Sequence, residues 1–155
     1  MANTKMSAFP DTSFLCSVYR EQVHSNLADG FMHSLAIPLP VSTLLLFEFR
    51  NSLHFQQRLF SLDRTRGFPK AEADGMLRDL QSDLQSRALE IVPVDWVDVH
   101  VTAERLRAIH TATHGHRFAD ILHVATAIHL GAELFLTFDE NQKRLAGAEG
   151  LATGF

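Results

Sequence analysis

Short apolar runs alternate along this chain with longer segments whose apolar residues recur every three or four positions. That alternation predicts a parallel sheet covered by helices, an α/β fold. Strands are expected at residues 6–9, 39–41, 90–94 and 133–138. Helices are expected at 14–22, 24–35, 43–60, 70–87, from Asp95 or Asp98 to about 110, at 119–130 and at 143–148. Ser13 and Ser42 read as N-caps, because a hydroxyl can accept one of the unpaired N–H groups of a first helical turn. Pro10 is expected to end the pairing capacity of the first strand. Residues 61–69 and 111–118 are polar, carry Gly67 and Gly115, and read as loops. In sheets of this kind, sites form beyond the C-terminal ends of the strands.

The chain has 155 residues, which suggests one domain. Residues 1–5 read as a disordered tail, 6–150 as the folded domain and 151–155 as a C-terminal tail. No apolar run reaches the length of a membrane helix, and residues 1–8 lack the apolar core of a secretory signal. The single cysteine, Cys16, excludes an internal disulfide and a Cys-rich zinc site. A cytoplasmic location and no membrane partner are the expectation. The net charge of −4 argues against a protein that coats nucleic acid by bulk charge.

Four acids change the meaning of that charge. Asp11 follows an apolar strand and precedes two hydroxyl residues. Glu48 lies inside Leu44-Leu45-Leu46-Phe47-Glu48-Phe49, the most apolar turn of the chain, where a carboxylate needs a reason. Asp120 opens an Ala-rich helix, and Asp139 ends the run Leu134-Phe135-Leu136-Thr137-Phe138. Asp11 and Asp139 both fall at C-terminal strand ends, and helices can bring Asp120 and Glu48 to the same edge. Hard cations such as Mg²⁺ or Mn²⁺ take such oxygens, and phosphodiester cleavage uses these ions to activate water. Each acid also has a plain reading. Asp11, Asp120 and Asp139 suit helix starts, and Glu48 suits an exposed helix face. Capping and metal ligation are compatible roles.

Four blocks together resemble the PIN-domain nucleases, above all the VapC-like toxin ribonucleases of type II toxin–antitoxin modules. They are Phe9-Pro10-Asp11-Thr12-Ser13, Val41-Ser42-Thr43 running on to Glu48, Phe118-Ala119-Asp120 running on to Ala127, and Leu134 to Asp139 with Thr137 two residues before the last acid. Their order matches, and the resemblance covers about residues 6–148. It implies a Rossmann-like domain with a central parallel sheet flanked by helices. It further implies Mg²⁺- or Mn²⁺-dependent cleavage of RNA by Asp11, Glu48, Asp120 and Asp139, which would ligate the metal directly or through water. Ser13, Thr137 and Asn141 match supporting positions. A homodimer and a cognate antitoxin are the implied protein partners. The chain departs from the family's pattern at Pro10 and over residues 55–70.

Other readings are weaker. His110 and His114 are four residues apart, but Gly115 and the polar stretch argue against one continuous helix there, and a transition-metal site is not expected. His123 reads as a core histidine. Residues 50–70 are locally basic, and Lys143 and Arg144 follow Asp139, so either group could meet a phosphate backbone. The aromatic residues read as core, with no stacking platform. A haloacid-dehalogenase-type phosphatase needs a second Asp where Ser13 stands, and a receiver domain needs adjacent early acids. The remaining alternatives are a non-catalytic PIN-like interaction module and a PIN nuclease of RNA processing.

Overall fold

The computed structural model describes residues 7–155, so the tail expected at residues 1–5, together with Met6, lies outside the described residues. In chain order the elements are β1 (Ala8–Pro10), α1 (Thr12–Tyr19), α2 (Ser25–Ser34), β2 (Leu39–Val41), α3 (Thr43–Leu62), α4 (Lys70–Ser86), β3 (Leu89–Ile91), α5 (Trp96–Leu106), a π-helical turn (Arg107–Thr111), α6 (Ala112–His114), α7 (Phe118–His129), β4 (Leu134–Leu136), α8 (Glu140–Ala148) and β5 (Ala152–Thr153). All strand pairing is parallel, as the alternation of strands and helices requires. The chain divides into two compact units, one of residues up to Phe14 with Val92–Phe155, the other Leu15–Ile91.

The first unit holds a three-stranded sheet in the order β1-β4-β5. Phe9, Phe135 and Leu136 are fully buried in it. Eight consecutive residues of α7, Asp120 to Ala127, are buried, so this helix is covered all round over that stretch. α5 packs along α7. Pro10 does not end the strand as expected. It pairs with Leu136, and the ladder continues through Asp11 N–H to Leu136 O at 3.0 Å. Alternate residues of a parallel strand face one neighbour, so with Asp11 N–H directed at β4 the proline nitrogen lies on the side away from it, and no ladder bond is lost.

Two further expectations change in this unit. The helix that starts at Trp96 does not stop near residue 110. It passes through the π-helical turn and α6 to His114, ending at Gly115 in the left-handed region (φ 67°). Residues 111–114 thus belong to the helix, and the expected loop shrinks to residues 115–117. Residues 151–155 are not a bare tail. Ala152 and Thr153 pair with β4, and Phe155 stacks on Phe138 with ring centroids 4.7 Å apart.

The second unit holds the β2-β3 pair and the helices α2, α3 and α4. Ser42 caps α3 as expected, accepting Leu45 N–H at 3.0 Å. α3 buries Leu45, Leu46, Phe49 and Leu53 against a core that includes Met76 and Leu80 of α4. α3 runs to Leu62, two residues past the expected end. Tyr19 donates to Asp83 at 2.7 Å, and its hydroxyl proton is held more tightly than usual by burial and by that carboxylate.

Candidate acidic site

Asp11 is fully buried at the C-terminal end of β1. Its carboxylate accepts four hydrogen bonds. Oδ1 receives Ser13 Oγ at 2.6 Å and Phe14 N–H at 2.9 Å, and Oδ2 receives Thr137 Oγ1 at 2.5 Å and Gln142 Nε2 at 2.7 Å. The bond from Phe14 makes Asp11, not Ser13, the residue that caps α1. Ser13 lies within the helix and accepts Phe138 N–H at 2.9 Å. Burial pushes the Asp11 carboxyl up to about 6. The bonds from Ser13, Thr137 and Phe14, and the nearby charge of His123, pull the other way without cancelling it. His123 is itself almost fully buried, as its position on the core helix predicts.

Asp139 follows β4 and caps α8, accepting Gln142 N–H on Oδ1 at 2.9 Å. Its own N–H bonds to Thr137 Oγ1 at 3.0 Å. Thr137 and Gln142 therefore each touch both motifs, and residues from opposite ends of the chain form one polar cluster around the buried Asp11 carboxylate. Ser13 and Thr137 both donate to the Asp11 carboxylate.

Asn141 does not support the acids by hydrogen bond. Its Nδ2 lies 3.3 Å from His114 O and 3.2 Å from His116 Nδ1, and its Oδ1 accepts Arg144 at 3.1 Å. Because the amide nitrogen can only donate, His116 Nδ1 is the acceptor and the ring proton sits on Nε2. That Nε2 is buried and has no hydrogen-bond partner. Burial, with His110 and His114 nearby, keeps His116 below its ordinary value and so neutral.

Asp120 stands in the first turn of α7, nearly buried, with Arg117 Nε 3.1 Å from its Oδ2. Glu48 stands on α3 in the second unit and is half-buried. Its place among the four acids rests on its position in the sequence motif.

The residue that sequence reasoning missed is Gln142. A signal was present. Asp139 followed three residues later by Gln142 has the spacing of a capping box, in which the side chain of the third residue reaches back to the cap's N–H. Here Thr137 already occupies that N–H, so the Gln142 carboxamide extends to Asp11 instead. Phe118 was also misjudged. It is 76% exposed beside Asp120 rather than part of the core, because it is the first residue of α7, ahead of the buried stretch.

The donor set is one of hard oxygens. Gln142 Oε1 is buried without a hydrogen-bond partner, a donor in want of a cation or proton. Among the described residues no three His, Cys, Asp or Glu side chains are grouped so that they could hold a metal ion between them. A cation that keeps several waters fits such a place better than one that needs an all-protein cage, and that is the habit of Mg²⁺.

The solved structures that the fold resembles include the VapC20 toxin of Mycobacterium tuberculosis, described as cleaving the Sarcin–Ricin loop (16% identity, 94% of this chain and 97% of that one, TM-score 0.66). Another is FitAcB of Neisseria gonorrhoeae (16% identity, 94% and 95%, TM-score 0.59). At such identity the likeness concerns the fold. No curated protein matches the chain in sequence. The PIN domain family model matches residues 8–148, which takes in all four acids, and on that match the chain belongs to the PIN-domain family.

Proposed function

We propose that this chain is a divalent-metal-dependent endoribonuclease and the toxin of a toxin–antitoxin pair. The observation that carries the reading is the cluster, inside a PIN domain, in which Gln142 bonds the carboxylates of both Asp11 and Asp139 while Thr137 ties the Asp11 carboxylate to the Asp139 backbone N–H. A buried hydrogen-bonded carboxylate at a strand end, as Asp11 is, is costly to keep for structure alone. Asp11, Asp120, Asp139 and, by motif position, Glu48 would hold Mg²⁺ or Mn²⁺. A cation bound there would supply an activated water and offset charge on the scissile phosphate. Ser13 and Thr137 fix the Asp11 carboxylate. Arg117, whose side chain is 78% exposed, offers a cation to the RNA backbone beside Asp120.

The toxin role and the antitoxin partner draw support from the VapC20 fold likeness. A homodimer draws support from Val97 and Val101, one turn apart on α5 and largely exposed, the kind of apolar stripe that protein contacts cover.

The test is cleavage of a structured-RNA pool by protein purified free of copurifying partners, with Mg²⁺ or Mn²⁺, with EDTA, and with an Asp120→Asn/Glu48→Gln double variant. Asp11 is a poor choice for that variant, because it also caps α1. Metal-dependent cleavage that the double variant loses supports the nuclease. Neither cleavage nor Mn²⁺ uptake by calorimetry would leave an interaction module.

A further inference from the structure

We propose that Gln142 is the exchangeable partner of Asp11, a positioning residue that gives up its bond to Asp11 Oδ2 when a divalent cation takes that oxygen and turns Oε1 to the cation instead. The inference deepens the metal-dependent reading above and rests on it.

The argument starts from the Asp11 carboxylate. Two oxygens with about two lone pairs each accept about four bonds, and Asp11 accepts four. A cation that ligates Asp11 must therefore displace a donor. Phe14 N–H is backbone in the first turn of α1 and cannot move without unwinding it. Ser13 Oγ also accepts Phe138 N–H, and Thr137 Oγ1 also accepts Asp139 N–H, so displacing either hydroxyl disturbs a second, part-buried bond. Gln142 Nε2 is the donor whose release costs one bond.

Gln142 also gains by the exchange. An ionised carboxylate only accepts, so the amide nitrogen is the end that faces Asp11 Oδ2, which leaves Oε1 as the buried, unpartnered end. Amide carbonyl oxygens are good ligands for hard cations. The terminal torsion of a glutamine is soft, so the carboxamide turns easily. Its backbone does not follow, because Gln142 N–H is tied to Asp139 Oδ1. The swing is confined to the head group, between two of the acids already assigned to the cation.

The test reads the side chain directly. In the full chain, the side-chain NH₂ resonances of Gln142, assigned through bonds, are followed by proton–nitrogen NMR as Mg²⁺ is added, and Mn²⁺ affinity is measured by calorimetry for wild type, Gln142→Met and Gln142→Glu. The Gln142 resonances should move along the Mg²⁺ saturation curve. Gln142→Met should bind Mn²⁺ about tenfold or more weakly, and Gln142→Glu should recover binding. Mn²⁺ uptake by wild type with static Gln142 resonances would overturn the exchange while leaving the metal reading intact. No Mn²⁺ uptake by wild type would overturn both. The NMR arm needs only wild-type protein, so a variant that fails to fold does not decide the matter.

Discussion

Thr137 donates its hydroxyl to Asp11 Oδ2 at 2.5 Å, across 126 positions of sequence, and accepts the N–H of Asp139 on the same oxygen at 3.0 Å. One buried hydroxyl thus sets the separation of two acids. Thr137→Val keeps the shape and leaves both Asp11 Oδ2 and Asp139 N–H one partner short. The expected cost is about 1–3 kcal/mol of stability, from groups left unpaired in a closed site. Thr137→Ser keeps the hydroxyl and should recover most of it. Urea unfolding of the two variants checks this, and equal midpoints would show that the hydroxyl holds nothing.

Gly67 and Gly131 separate two reasons for a glycine. Both lie in the left-handed region, at φ 63° and 68°. A Cβ at Gly67 would stand 2.0 Å from the backbone oxygen of Gln56, whereas one at Gly131 meets nothing within 4 Å. Gly131→Ala is expected to cost about 1 kcal/mol, from conformation alone. Gly67→Ala adds a clash with the α3 backbone and should cost at least about twice as much. Thermal melting of the pair is the measurement, and similar losses would mean that the 62–69 turn gives way freely.

Arg117 and Phe118 are adjacent, exposed and next to Asp120. A cation and an aromatic face at one spot suit a phosphate and an unpaired base. Phe118→Ala should weaken binding of single-stranded RNA by about 1–3 kcal/mol, the usual worth of one stacked base. Arg117→Gln should weaken it and flatten its salt dependence. Phe118→Ala should leave Mn²⁺ affinity within a small factor of wild type, whereas Arg117→Gln, which removes the partner of Asp120 Oδ2, should change it. Fluorescence anisotropy of a labelled RNA at several salt concentrations tests both. Unchanged affinity in both variants would move the RNA path away from the start of α7.

The contrast between Asp139 and Gln142 shows how far the sequence could be read. Asp139 ends an apolar strand and starts a helix, so local pattern placed it, as it placed Ser42 at the head of α3 and the paired segment Leu39–Val41. The four motif blocks placed Asp11 and Asp120 for the same reason, since each follows a local element boundary. Gln142 owes its role to a bond with a residue 131 positions away and to the prior claim of Thr137 on a backbone N–H, neither of which a local window contains. Asn141 shows the complementary case. The resemblance suggested a supporting role, and its position on α8 directs its amide nitrogen to His114 O and His116 Nδ1. The polar, Gly-terminated end of the helix over 96–114 resembles a loop in sequence, and periodicity of 3.6 does not anticipate a π-helical turn.

Acidity offers the most direct check on the cluster. Burial, opposed by hydrogen bonds from Ser13, Thr137 and Phe14, raises the Asp11 carboxyl from 3.8 to about 6. Between those values the folded chain keeps a proton that the unfolded chain has released. Stability must then fall as pH rises from about 4 to about 6, by at most about 1.4 kcal/mol per pH unit. Above about 7 the penalty is complete, and Asp11 contributes no further slope. Asp11→Asn cannot ionise, so it should lack this fall whatever its overall stability. A cation binds the ionised carboxylate and competes with the proton, so saturating Mg²⁺ should offset the fall and favour the fold most at the higher pH. Urea midpoints of wild type and Asp11→Asn, taken from pH 4.5 to 7.5 in EDTA and again in Mg²⁺, isolate the effect as a difference between chains. Parallel profiles in EDTA would mean that the four hydrogen bonds outweigh burial and that Asp11 stays ionised throughout. Diverging profiles that Mg²⁺ brings together would place the proton and the cation in competition for the same buried oxygen.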